Sequence, residues 1–199
     1  MKRFNKNVAI VLLIAVYVNL LNPVYATTAL NGRYWDKTSL KYYISSTVSS
    51  SYGSSVYYQI LYGAQSWSGL SAMVLSSGTT SDNDIEIYMS NYGATGWNGL
   101  HNPDSYDSST NVMEHSTITL NTYYYLQSYS SYTSDINFWR AIACHEVGHS
   151  LGLSHNSTSG ETSIMKSSTG DFYTLSGSSP KLTSPQTADI TALQSLYGS

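Results

Sequence analysis

The stretch His145-Glu146-Val147-Gly148-His149-Ser150-Leu151-Gly152-Leu153-Ser154-His155 decides how the rest of the chain is read. Three of the five histidines of the sequence fall within it. Positions i and i+4 of a helix lie one above the other on the same face, so His145 and His149 point at one metal ion. Glu146 follows the first of them, where its carboxylate reaches a water on that ion and acts as general base. Gly152 can take the left-handed backbone that ends a helix and turns the chain sharply. That turn swings His155 back as a third imidazole, and three imidazoles leave a zinc ion one open position for chemistry.

The spacing H-E-x-x-H-x-x-G-x-x-H resembles the metzincin signature, and Ser163-Ile164-Met165 resembles the methionine turn that accompanies it. The flanks narrow the resemblance. Arg140-Ala141-Ile142-Ala143-Cys144, Ser184-Pro185-Gln186-Thr187-Ala188-Asp189-Ile190 and Leu196-Tyr197-Gly198 resemble the matrixin catalytic domain. Arg33-Tyr34-Trp35 and Leu40-Lys41-Tyr42-Tyr43-Ile44 are similar to that domain's opening strand.

This resemblance implies an α+β, metzincin-like fold. A twisted mixed five-stranded sheet would carry two long helices, followed by a small C-terminal subdomain with a third helix. The upper part would span 27–152 and the lower part 153–199. It implies a zinc metalloendopeptidase that hydrolyses internal peptide bonds. One zinc would be held by His145, His149 and His155, with Glu146 as the base and Met165 as an apolar floor that is not a ligand. The substrate is an extended protein or peptide that pairs with a sheet edge, expected between about Ala94 and His101. Phe172 and Tyr173, in the loop after Met165, either wall the pocket for the side chain after the cleaved bond or fill the lower core. Ser167 stands where some metzincins carry a tyrosine, which favours the matrixin type.

Further metals find less support. His101, Asp104, Asp107 and His115 offer two histidines where the family's structural zinc uses three and an aspartate, so a surface loop without metal is the favoured reading. Calcium at Asp82, Asp84, Asp104 or Asp107 has no loop signature. A zinc-binding or adhesion protein without turnover is the alternative from another class, and the intact Glu146 speaks against it. A narrow processing enzyme or toxin is a third reading, one that the motif does not separate from a broad protease.

The N-terminus reads as a secretory signal peptide over residues 1–26. Lys2, Arg3 and Lys6 precede the apolar run Val8–Leu21, and Val24-Tyr25-Ala26 supplies small residues for cleavage. The catalytic domain is then 27–199, secreted and extracellular, expected to act as a monomer with no membrane attachment in its mature form. The nine Lys and Arg of the sequence fall to six after cleavage, against twelve Asp and Glu. An acidic chain without a basic cluster is a poor partner for nucleic acid. Cys144 is the sole cysteine, which excludes an internal disulfide and reads as a small core side chain. Thr27–Gly32 holds no cysteine, so latency through a propeptide thiol is not expected.

Periodicity supplies the remaining elements. Leu40, Tyr42 and Ile44 alternate as in a half-buried strand, as do Ile85, Ile87 and Met89, and Thr117 to Leu120 gives a third short strand. Val56, Ile60, Ala64 and Trp67 recur at helical spacing behind Ser54 or Ser55 as cap. Ser134 or Asp135 is expected to cap the helix that carries His145, whose apolar stripe is Ile136, Trp139, Ile142, Ala143 and Val147. Ser184 with Pro185 is expected to open the last helix.

Overall fold

The computed structural model describes Thr28–Ser199. The expected leader, residues 1–26, lies outside the described residues. Five strands form one sheet in the order β2-β1-β3-β5-β4: β1 Ser39–Ile44, β2 Val74–Ser77, β3 Ile85–Ser90, β4 Gly99–Asp107 and β5 Val112–Asn121. The first four in that order pair in parallel, and β4 runs antiparallel to β5 at the edge. The alternation in the sequence is the burial pattern: Leu40, Tyr42 and Ile44 in β1 and Ile85, Ile87 and Met89 in β3 all point into the core. Pro103 fits only because β4 is an edge strand with register shifts after Asn102, since a proline lacks the N–H that an inner ladder needs.

Two long helices cover the sheet. Helix α2 (Ser54–Gln65) buries Val56, Ile60 and Ala64, and helix α4 (Asn137–Ser150) is buried along almost its whole length. Gly63 is the point of closest approach between them. A Cβ there would lie 2.5 Å from the Arg140 carbonyl oxygen and 3.0 Å from the Ala143 Cβ. Trp67, just beyond α2, is fully buried and donates its indole N–H to the Cys144 carbonyl at 2.8 Å. Cys144 is itself buried in this interface, accepts a hydrogen bond from Ser66 Oγ, and is pushed up to about 12 by burial. It is a core side chain.

Three short helices complete the chain before its last element. Helix α1 (Ser46–Tyr52) occupies a polar stretch with no apolar periodicity, capped by Ser45 Oγ on the Thr47 N–H. Helix α3 (Tyr123–Ser128) follows β5, and the single turn α5 (Thr169–Phe172) lines the cleft described below. Helix α6 (Thr187–Tyr197) closes the fold.

Three expected boundaries are corrected. Helix α2 takes Gly53, not Ser54 or Ser55, as its N-cap residue. Helix α4 starts at Asn137 with Ile136 as N-cap and no side-chain cap, because the Asp135 carboxylate is engaged by Tyr173, Lys181 and Tyr129. Helix α6 starts after Gln186 rather than Ser184. Gln186 and Asp189 form a reciprocal capping box there, and that satisfies two orphan N–H groups where Ser184 would satisfy one. Strand β5 also begins at Val112, five residues before the apolar alternation shows it.

Candidate functional site

Helix α4 delivers His145, Glu146 and His149 to the floor of an open cleft of about 880 Å³ beside β4. Its end follows the glycine rule. Leu151 is the C-cap, and Gly152 follows at φ +94°. The Gly152 N–H donates to the His149 carbonyl at 3.0 Å and the Leu153 N–H to the Gly148 carbonyl at 3.0 Å, the two bonds of a Schellman turn. A side chain at Gly152 would also strike the Arg33 carbonyl oxygen at 2.5 Å. The turn brings His155 back over the helix end.

The three imidazoles converge. His149 Nε2 stands 3.1 Å from His145 Nε2 and 3.2 Å from His155 Nε2. Two nitrogens each about 2.05 Å from one tetrahedral zinc lie roughly 3.3 Å apart, so the spacing fits the ion. The donor set fits as well. His145 Nδ1–H donates to the Ile164 carbonyl at 2.7 Å, and His149 Nδ1–H donates to the Leu153 carbonyl at 2.8 Å. Those two bonds fix the tautomers and leave the two Nε2 lone pairs facing each other, an arrangement that a shared cation relieves. Burial lowers His145 to about 3 and His149 to about 4, and also lowers His155, which keeps the rings neutral as ligation requires. Among the described residues, these three are the only cluster of histidines, cysteines and carboxylates with metal-binding spacing.

Glu146 lies against the edge strand. Gly99 makes that contact: a Cβ on it would sit 2.4 Å from Glu146 Oε1 and 2.7 Å from Ile142 Cγ2. Burial pushes the Glu146 carboxyl up to about 8, with the His101 backbone pulling the other way. A carboxylate in this setting holds a proton far more readily than a solvated one.

Met165 lies fully buried beneath the site. Gly148, inside the motif, leaves room for it; a Cβ there would meet Met165 Sδ at 2.5 Å and Trp67 Cζ2 at 2.8 Å. The turn that carries Met165 hangs on one buried carboxylate. Asp189 Oδ1 accepts from Thr28 Oγ1 at 2.6 Å and Ser163 Oγ at 2.5 Å, while Oδ2 accepts from the Ile164 and Gln186 N–H groups. Asn156, next to His155, donates its backbone N–H to the Met165 carbonyl at 2.7 Å.

The other expected positions divide. Phe172 lines the cleft and stacks on His145, with ring centroids 4.8 Å apart and planes at 10°. Tyr173 turns away and donates its hydroxyl to Asp135, so of the two only Phe172 walls the cleft. The edge strand starts later than the expected Ala94: Tyr92–Asn98 is a loop held by the Asn121 side chain, and β4 begins at Gly99. Asn98 then reaches across the cleft to Thr169 Oγ1 at 3.0 Å. His101 and His115 do not meet. The His101 ring stacks on His149, whereas His115 bonds to Asp104 and Asn83. The roles of Gly99 and Gly148 were missed in the sequence, although a glycine inside a strand pattern is itself a sign of close backbone approach.

A comparison with protein families agrees with this geometry. The matrixin model, peptidase M10, matches residues 34–198. No curated protein matches the chain. The chain belongs to the matrixin family, and it is a zinc metalloendopeptidase acting on protein or peptide substrates.

Proposed function

We propose that His145, His149 and His155 hold the catalytic zinc through Nε2 and that Glu146 is the general base for cleavage of internal peptide bonds. The observation that carries this is the convergence of three Nε2 atoms beside a buried carboxylate at the floor of a cleft. Zinc bound there supplies Lewis acidity, acidifying a water and polarising a carbonyl. The protein's own groups do the rest. Ile164 and Leu153 carbonyls orient the first two imidazoles. Glu146 takes the proton released on attack and returns it to the leaving amine. The free edge of β4, from Gly99 to Asn102, pairs with an extended substrate backbone. Phe172 bounds the pocket on the far side of His145.

The leader-like residues 1–26 and the acidic composition of the remainder support secretion, with 27–199 as the working catalytic domain and Gly152 as the junction between its two parts. Among the described residues, no helix is long and apolar enough to cross a membrane.

The test is cleavage of a mixed peptide library by the chain from Thr27, before and after chelation and after zinc is restored. Internal cuts that vanish with chelation and return with zinc are the expected result. A chain that takes up one zinc and cuts nothing would overturn the reading, as would a chain that binds none.

A further inference from the structure

The cleft is lined by one permanently charged cation, and among the described residues nothing neutralises it. Arg33 lines the wall on the β4 side, with its guanidinium over Tyr106, and no other lysine or arginine lines the cleft. Glu146 is the only acidic residue in the same lining. Every other described cation has a partner. Lys37, Lys41 and Lys181 pair with aspartates, Arg140 donates to the Thr183 carbonyl, and Lys166 donates to Asn156 and Thr158. Among the described residues, the Arg33 side chain makes no hydrogen bond or ion pair, and its Nε is buried without an acceptor. The two nearest strand carboxylates are engaged elsewhere: Asp104 by His115, Thr117 and Asn102, and Asp107 by Ser109.

Arg33 is nevertheless held in place. Its guanidinium lies 4.4 Å over the Tyr106 ring, a contact that fixes the plane without using up the N–H donors. Its backbone N–H donates to Asn31 Oδ1 at 2.9 Å, and Asn31 is tied to the end of α4 through the Gly152 and His149 carbonyls. His101, on the same wall, presents a second buried nitrogen without a partner at Nε2. A preorganised, half-buried guanidinium with its donors free, in a cleft otherwise neutral apart from the catalytic groups, is a receptor for a carboxylate.

We propose that Arg33 forms a subsite for an acidic side chain of the substrate, which makes this protease selective for Asp or Glu away from the cleaved bond. This rests on the β4 edge being where the substrate lies. Gly99 lies against Glu146 and Tyr106 lies further along β4 under the Arg33 guanidinium, which sets the carboxylate several residues from the cut.

Internally quenched peptides with both ends capped would test it, carrying Glu, Gln or Lys scanned through four positions on each side of one cut. At one position the zinc-loaded protein is expected to cut the Glu peptide with kcat/KM about tenfold above the Gln peptide, with Lys lowest, the scale of a charge-assisted hydrogen bond in a partly wet site. Arg33→Lys keeps the order, and Arg33→Met brings the Glu and Gln ratio to one. Binding of the same peptides to the Glu146→Gln protein gives a readout without turnover: the Glu peptide should bind about tenfold tighter than the Gln peptide, the difference fading with added salt. No position preferring Glu, or an unchanged ratio in Arg33→Met, overturns the subsite. If the protein cuts no peptide, the catalytic assignment fails, while the binding ratio still decides the subsite.

Discussion

Helix α4 and the chain that follows it serve the same three histidines by different means. His145 and His149 are set by apolar packing: α4 is packed against both α2 and the sheet, and Gly63, Gly99 and Gly148 allow neighbours to approach where any side chain would collide. The region beyond Gly152 has little regular structure and hangs on two carboxylates. Asp189 ties the Met165 turn to Thr28 and to the start of α6, and Asp135 ties Tyr173 and Lys181 to the entry of α4. Packing tolerates no extra atoms, and a hydrogen-bonded network tolerates no lost acceptor. The two regions should therefore fail in different ways.

Between the two regions, the larger loss of activity is expected at the packed side. Gly99→Ala places a methyl 2.4 Å from Glu146 Oε1, so the carboxylate must move. A displacement of this order costs about 100-fold in kcat/KM, while the melting temperature changes little; kinetics and calorimetry on one sample separate the two. Full activity in this variant would show that β4 yields and that the glycine is not needed.

Asp189→Asn comes next and should show the opposite signature. One carboxylate oxygen becomes an amide N–H₂ facing donors, which costs about 3 kcal/mol and lowers the melting temperature by about 9 °C in a domain of this size. Zinc affinity should fall with it, because the Ile164 carbonyl that orients His145 belongs to the turn that Asp189 holds. Unfolding followed by calorimetry, with zinc titrated in parallel, checks both.

The smallest effect concerns Asp135. Burial works to raise its carboxyl, and the Lys181 and Tyr173 hydrogen bonds outweigh that and lower it. A depressed folded value means that the group stabilises the fold above the ordinary carboxyl range near pH 4 and loses that contribution as pH falls through the depressed value. Asp135→Asn should therefore cost about 1 kcal/mol at pH 7, and the gap to the wild type should close as pH falls below about 4, through the depressed value. A gap that is constant with pH would assign the loss to packing.

The contrast also explains what the sequence made legible. Apolar periodicity revealed β1, β3, α2 and α4, and the spacing of the histidines foretold the convergence of His145, His149 and His155. Those signals are local and repeat along the chain. Helix α1 went unseen because its seven residues hold only Val48 as a buried side chain, and a serine-rich run has no apolar face to count. The cap of α4 was misplaced because Asp135 is a good N-cap by type, and only tertiary structure shows its oxygens committed to Tyr173 and Lys181. The networks around Asp189 and Asn156 join residues more than a hundred positions apart, so no window of sequence contains them. The opposite turning of Phe172 and Tyr173 likewise depends on Asp135, far upstream.

The measurement that bears most directly on the site is the zinc content and peptide cleavage of Glu146→Gln beside the wild type. The account predicts equal zinc in both and a rate lower by about 10² to 10⁴ in the variant, the contribution of a general base. Cleavage at the wild-type rate, or activity lost only in proportion to lost zinc, would contradict it.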